Sequence, residues 1–166
     1  MNASAIKGIR TMYSTTKERG GTVIPESDLK NLLQQYDIPV PVSAAAKTPE
    51  EATLAAKNTG YPVVCKVLSN RLLHKSDEGG VRLNIQNNQE LSEAFTTIHQ
   101  AFSARDDAGY LGVLVEAQAP AGIEIIAGLQ HDDTFGPVLM LGMGGTMANL
   151  LDRSEEHTSE LQSPLC

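Results

Sequence analysis

The chain has 166 residues, a formal net charge of −7 at pH 7 and 41% hydrophobic residues. This composition supports a packed core and excludes a disordered chain, and the negative charge argues against a nucleic-acid partner. No apolar run approaches the roughly 20 residues that span a bilayer, so no membrane partner is expected. Cys65 and Cys166 lack metal-ligand spacing. We therefore expect a cytoplasmic protein.

Three helices are predicted in the first 60 residues. Residues 3–19 have helical apolar spacing, and two glycines follow them and end the helix. Ser27 is the predicted N-cap of a second helix, after which the proline-containing segment 38–42 is expected to be extended. Thr48 is followed by Pro at the first helical position and Glu at the third, which predicts a capping box for a helix that ends at Gly60.

The rest of the chain alternates strands and helices. Residues 61–67 are short and β-branched, which predicts a buried strand, and residues 81–85 alternate with period two, which predicts a half-buried strand. Asn88 is the predicted cap of a helix. The inner face of that helix consists of Leu91, Ala94, Phe95, Ile98 and Phe102. Further strands are predicted at 112–116, 123–129 and 138–141, so the pattern indicates an α/β or α+β domain.

Lys66 stands inside the apolar run Val63–Val67. Burial of an ammonium group without a partner is costly, so a lysine in this strand needs an anion or an exit to solvent. The alternative is an edge-strand lysine whose amine reaches solvent along its aliphatic stem. We treat Lys66 as a candidate anion-binding residue.

The next segment, residues 74–81, supplies candidate phosphate-loop residues. Gly79 and Gly80 allow the backbone to approach a ligand and to expose N–H groups to phosphate oxygens, and Lys75 and Ser76 lie beside them. His74 has the chemistry of a nucleophile toward a phosphoryl group, because neutral imidazole is present near pH 7. The alternative is an ordinary polar turn.

A third candidate site lies at the end of the strand at 112–116. The residues Glu116, Ala117 and Gln118 can present backbone donors and acceptors to a planar base, and the carboxylate of Glu124 can accept hydrogen bonds from ribose hydroxyls. The alternative is a surface hairpin in which both glutamates are solvated. The glycines at 142–145 are a weaker indication of a phosphate-facing turn.

Four stretches resemble one known family in their order and spacing, namely residues 36–41, 60–64, 73–81 and 135–145. Together they resemble the ATP-grasp domain of ADP-forming acyl-CoA (acetyl-CoA) synthetases, over roughly Thr22 to Asp152. The resemblance implies an incomplete α+β ATP-grasp fold at 21–152, preceded by a small helical segment at 1–20 like that of a stand-alone β subunit. Asp37 stands where the family has glycine, and Cys65 stands where it has leucine.

The resemblance also implies roles for the candidate residues. Lys66 is expected to contact ATP phosphates, the strand end at 116–118 to meet adenine, and Glu124 to bind ribose. His74 matches a histidine on a mobile loop that carries the phosphoryl group to a CoA-binding α subunit, which handles the small acid and CoA. The implied reaction is acyl-CoA + ADP + phosphate ⇌ acid + ATP + CoA, with ATP/ADP and Mg²⁺ as cofactors.

The family's magnesium ligands lie in a later part that nothing here matches, so no metal ligand is assigned. Because phosphoryl transfer relies on the metal, the parent protein is expected to be an enzyme and this 166-residue chain to be inactive alone. Residues 153–166 have no periodicity and are similar to a translated sequencing-library adapter, so we interpret them as a non-native tail. The alternative is a genuine disordered tail.

Two other functions are compatible with the sequence. One is the ATP-grasp-like regulatory module of a protein lysine acetyltransferase. The other is a nucleotide-binding module without enzymatic activity. His74 together with Gly79 and Gly80 favours the synthetase.

Overall fold

The computed structural model describes residues 3–144, with side chains from residue 8 onward. The elements in chain order are α1 (Ala3–Glu18), α2 (Glu26–Gln34), β1 (Ser43–Ala46), α3 (Pro49–Thr59), β2 (Val63–Ser69), β3 (Val81–Ile85), α4 (Asn88–Phe102), β4 (Tyr110–Ala117), β5 (Ile125–Asp132) and β6 (Gly136–Met143). None of the helices described is long and apolar enough to cross a membrane. The chain divides into two compact units, the first ending at Ala119 and the second beginning at Pro120.

The first unit is built on a four-stranded sheet with the strand order β1-β4-β2-β3. Each neighbouring pair is antiparallel. The two central strands pair over their whole length, from Val63 opposite Ala117 to Ser69 opposite Tyr110. The α+β class is therefore confirmed, and antiparallel pairing throughout this sheet distinguishes it from a doubly wound α/β fold.

The hydrophobic core lies between one face of this sheet and the helices α3 and α4. The predicted inner face of α4 is confirmed, because all five of its residues are buried. The largest side chains with almost no exposure are Phe102, Leu91, Ile98, Leu114, Val63, Val67, Val113 and Val115. Cys65 is also fully buried, and burial raises the pKa of its thiol to about 12, so it is a small core residue and not a reactive one.

The predicted starts of the helices were partly wrong. Thr48 caps α3 as predicted, since its hydroxyl accepts a hydrogen bond from the backbone N–H of Glu51. Ser27 does not cap α2, because the helix already begins at Glu26 and Pro25 occupies the N-cap position. In α4 the cap is Asn87, one residue before the predicted one, and its side chain accepts from the N–H of Glu90. Two adjacent asparagines have the same capping chemistry, so spacing alone did not separate them.

Two strand predictions also needed correction. Strand β1 at Ser43–Ala46 follows the segment predicted to be extended, and it was missed because Ser-Ala-Ala-Ala has little β propensity. Strand β3 is present at the predicted residues but is not half-buried with period two. Leu83 is 67% exposed and Asn84 has φ 58°, because β3 is an edge strand whose pairing with β2 is irregular.

In the described part of the second unit, β5 and β6 form an antiparallel hairpin. The register runs from Ile125 opposite Met143 to Asp132 opposite Gly136. The Asp132 carboxylate accepts hydrogen bonds from the N–H groups of Thr134 and Phe135, which closes the turn. Both strands were predicted, and both are longer than predicted. The expected boundary near residue 152, the tail at 153–166 and Gly145 lie outside the described residues, so the domain division stays a prediction.

Candidate functional site

Lys66 points away from the hydrophobic core. Its neighbours Cys65 and Val67 are fully buried in the core, and side chains alternate along a strand, so Lys66 faces the opposite side of the sheet. Its ammonium nitrogen Nζ lies 3.0 Å from Oε1 of Glu26 in α2 and 3.1 Å from Oε1 of Glu116 in β4. The side chain is 22% exposed. The alternative of a lysine on an edge strand is wrong, because β2 lies between β4 and β3 inside the sheet.

Five charged side chains meet at this position, and we call them the lysine cluster: Glu26, Lys30, Lys66, Lys75 and Glu116. Glu26 uses both carboxylate oxygens. Its Oε1 lies 3.0 Å from Nζ of Lys30 and of Lys66, and its Oε2 lies 3.0 Å from Nζ of Lys75. Lys30 also pairs with Glu116. Three cations and two anions leave one net positive charge.

The contacts of the lysine cluster explain how the charge of Lys66 is compensated in an apolar strand. The sequence suggested that a bound anion compensates its charge, but the chain itself supplies two carboxylates. Glu116 is only 7% exposed, so it is not the solvated hairpin residue of the alternative interpretation. The charge of Lys66 is therefore compensated within the chain, so its place in an apolar strand does not by itself indicate a bound anion.

Burial and charge pairing together set the pKa values of Glu26 and Lys30. Burial acts to raise the pKa of Glu26, but the charges and hydrogen bonds of Lys66, Lys30 and Lys75 outweigh it and lower this pKa to about 2. Burial lowers the pKa of Lys30, and pairing with Glu26 opposes this only in part. Glu26 is thus held firmly as an anion at neutral pH.

We expect acid to destabilise the first unit through Glu26. The carboxyl group titrates near pH 4.5 when unfolded and near pH 2 when folded, so its stabilisation is complete above pH 4.5 and is lost as the pH falls toward 2. After allowance for solvent screening, this loss is on the order of 1–2 kcal/mol. Urea unfolding at pH 5.0 and 2.5, with Glu26→Gln as the comparison, measures it. An equal loss of stability in both proteins would contradict the assignment.

His74 lies in the loop after β2, one residue before Lys75 of the lysine cluster. The side chain of His74 is 81% exposed, and its Nδ1 lies 4.0 Å from the Asp77 carboxylate. Two anchors flank it. Leu72 is buried and its N–H donates to Oγ of Ser69, while Lys75 is held by Glu26. His74 is therefore an accessible imidazole between two fixed residues.

The two loop glycines have a structural role that differs from the predicted one. Their N–H groups are not free, because that of Gly79 donates to the carbonyl of Ser76 and that of Gly80 to the carbonyl of Lys75. A Cβ atom at Gly80 would lie 2.5 Å from Cγ1 of Val67 and 2.9 Å from the Lys75 carbonyl oxygen. Gly80 thus lets the loop close tightly onto β2. The assignment of Lys75, Ser76, Gly79 and Gly80 as phosphate ligands stays a prediction.

The strand end predicted to meet adenine is also occupied within the chain. The N–H of Ala117 donates to the carbonyl of Val42, and the N–H of Gln118 donates to the carbonyl of Pro62. These two N–H groups are therefore already used within the chain, and the predicted adenine contact at Glu116, Ala117 and Gln118 stays a prediction. Glu124, in the second unit, is exposed just before β5, and its predicted contact with ribose stays a prediction.

Sequence reasoning missed Glu26 and Lys30. They are four residues apart on α2, and such a pair usually lies on a solvated helix surface. The available signal was Lys66 itself, because a lysine in an apolar strand requires an acidic partner elsewhere in the chain.

The described residues do not provide a metal site. Within residues 3–144, no group of three or more His, Cys, Asp or Glu side chains is arranged to hold a metal ion. The carboxylates of Glu26 and Glu116 are both paired with lysines. We therefore assign no step to Mg²⁺ through these residues.

A protein-family model for the ATP-grasp domain matches residues 15–165. The chain is 43% identical over 127 residues to the acetate–CoA ligase [ADP-forming] I subunit beta of Pyrococcus furiosus, covering 76% of this chain and 55% of that protein. It is 38% identical over 152 residues to the II subunit beta of the same organism, covering 91% of this chain and 63% of that protein. The chain thus spans about three fifths of these relatives.

Solved structures give the same result. An acetyl-coenzyme A synthetase 1 from Ca. Korarchaeum cryptofilum, in complex with coenzyme A and Ca-AMPCP, matches with a TM-score of 0.74 and 37% identity, over 82% of this chain and 60% of that one. A second structure of that synthetase contains Mg-AMPPCP and a phosphohistidine segment pointing towards the nucleotide-binding site. It matches with a TM-score of 0.67 and 34% identity, over 86% of this chain and 60% of that one. The chain belongs to the ATP-grasp domain family, and β subunits of ADP-forming acetate–CoA ligases are among its close homologues.

Proposed function

We propose that this chain is the ATP-binding part of an ADP-forming acyl-CoA ligase of the acetate–CoA ligase type. Family membership and the β-subunit homologues support this proposal. The observation that carries it is the convergence of three lysine ammonium groups on the single carboxylate of Glu26, each at 3.0 Å. An arrangement that holds three cations around one anionic group also suits the phosphates of a nucleotide.

In this proposal Lys66 and Lys75 bind the phosphates of ATP. Their nitrogens contact different oxygens of the Glu26 carboxylate, Lys66 at Oε1 and Lys75 at Oε2. They come from different parts of the fold, because Lys66 is on the central strand β2 and Lys75 is on the loop that follows it. Two such cations offset the charge that develops on a transferring phosphoryl group.

His74 is the proposed phosphoryl carrier. Its imidazole is 81% exposed, and the next residue in the chain, Lys75, is one of the proposed phosphate-binding lysines. Attack by a neutral ring nitrogen on the γ-phosphorus would form an N–P bond and break the bond to the ADP oxygen, with ADP as the leaving group. The phosphohistidine segment of the Korarchaeum synthetase supports this role. A CoA-binding α subunit is the proposed partner that receives the group and supplies the acid and CoA.

The experiment that tests the proposal is nucleotide binding to the full chain. Isothermal titration calorimetry with ATP and ADP should show binding, and Lys66→Met should weaken it by about tenfold to a hundredfold, because one charge-assisted contact is lost. Lys57→Met is the matched control. Lys57 is an exposed lysine in the last turn of α3, so its removal changes net charge equally without touching the lysine cluster.

Two outcomes would reject the proposal. The first is an absence of ATP and ADP binding to a folded wild-type chain. The second is the same affinity for ATP in the wild type, in Lys66→Met and in Lys57→Met. Circular dichroism spectra of all three proteins establish that they are folded.

A further inference from the structure

We infer that Glu26 determines nucleotide affinity by occupying the phosphate position of the lysine cluster, so that a nucleotide binds only when it displaces this carboxylate. The inference rests on the proposed function, because it concerns the same site. It assigns a role to a residue outside the set predicted to contact ATP.

The first argument is the geometry of Glu26. Its two oxygens contact three ammonium groups at 3.0 Å, which are the distances and partners that phosphate oxygens take. A phosphate oxygen cannot approach Lys66 and Lys75 in the same place while Glu26 is there. The carboxylate and the nucleotide therefore compete for the same cations.

The second argument is that Glu26 is the displaceable acid of the two. It lies in the first turn of α2, its side chain is 24% exposed, and three side-chain torsions allow it to swing outward. Glu116 lies on a central strand with a side chain only 9% exposed, so it stays in place. With Glu26 displaced, Lys30, Lys66 and Lys75 face Glu116 alone, and the local charge rises from one positive to two.

The third argument is that displacement costs free energy. Glu26 loses three ion pairs and also a favourable position at the positive N-terminal end of α2. When only a fraction of the protein is in the binding-competent state, the apparent affinity for the ligand is reduced by that fraction. Removal of the competing charge should therefore strengthen binding, although Glu26 is not a ligand of the nucleotide.

The test compares Glu26→Gln with Asp28→Asn in the full chain. Both substitutions remove one negative charge from the first turn of α2. Glu26 contacts the three lysines, whereas Asp28 accepts a hydrogen bond from Ser27. We expect Glu26→Gln to bind ATP and inorganic tripolyphosphate about tenfold more tightly than wild type. We expect Asp28→Asn to bind them within about twofold of wild type.

A second measurement uses the wild-type chain and so does not depend on the folding of a variant. Hydrogen exchange is followed in α2 with and without saturating ATP. Displacement of Glu26 removes the ion pairs that join the first turn of α2 to Lys66 and Lys75, while Lys30 stays paired with Glu116. The amides at the start of α2 should therefore exchange at least about threefold faster with ATP bound. Slower or unchanged exchange would mean that Glu26 stays in place.

The outcomes separate this inference from the proposed function. If wild type binds ATP and folded Glu26→Gln binds it no more tightly, the competition is refuted while the nucleotide site survives. If neither protein binds ATP or tripolyphosphate, both are refuted. If Glu26→Gln does not fold, the exchange of α2 in wild type decides, with faster exchange supporting the competition and any other result refuting it.

Discussion

Replacement of Glu116 by alanine is expected to lower the free energy of unfolding by about 3–5 kcal/mol, because it breaks a buried ion pair and leaves the partner charge uncompensated. Glu116 is 7% exposed and pairs with Lys66 at 3.1 Å and also with Lys30. Without it, the ammonium groups of Lys30, Lys66 and Lys75 all depend on the single carboxylate of Glu26. Urea unfolding followed by circular dichroism at 222 nm measures the change.

Two further variants identify the cause of this loss. Glu93→Ala removes an exposed carboxylate from α4 and should change stability by less than about 0.5 kcal/mol. The double variant Glu116→Leu with Lys30→Met removes the acid together with one of its buried cations, so it should recover part of the loss. A loss below about 1 kcal/mol in Glu116→Ala would show that the lysine cluster contributes little to folding.

Phe102→Ala is expected to cost about 3–5 kcal/mol, through lost burial and the cavity that remains. Phe102 is fully buried at the end of α4, and Cζ of its ring lies 3.3 Å from where a Cβ on Gly80 would be. The Arg105 guanidinium also lies 5.2 Å from the ring centroid. The ring thus supports the base of the His74 loop as well as the core.

The size of the cavity can be tested with a smaller change at the same position. Phe102→Leu keeps most of the volume and should cost less than about 1.5 kcal/mol. Leu83→Ala, at a position that is 67% exposed on β3, is the surface comparison and should be close to neutral. Similar losses in Phe102→Ala and Leu83→Ala would contradict the core described above.

The parts of the fold that the sequence predicted well are those that local chemistry decides. Thr48 with Pro49 and Glu51 starts α3 because a cap, a fixed φ and an acid at the third position act within one turn. The apolar spacing of α4 identified its buried face for the same reason. Strand β1 was missed because Ser43–Ala46 is held by pairing with β4, which is distant in sequence.

The candidate site was predicted less completely than the fold. Lys66 was identified because its charge conflicts with its apolar neighbours. Its partners Glu26 and Glu116 lie 40 and 50 residues away in sequence, and only the fold brings them together. The expectation of free N–H groups at Gly79 and Gly80 was wrong, because sequence spacing does not reveal whether a donor is already used within a turn.

The two anchors beside His74 set a tether length for the imidazole. Leu72 is fixed in the core two residues before it, and Lys75 is held by Glu26 one residue after it. Two residues of fully extended chain reach about 7 Å, so the histidine sweeps only a short radius while both anchors hold. In its proposed role as carrier, His74 can move a phosphoryl group over a longer path only after Lys75 is released from Glu26, so the reach of the imidazole depends on that ion pair.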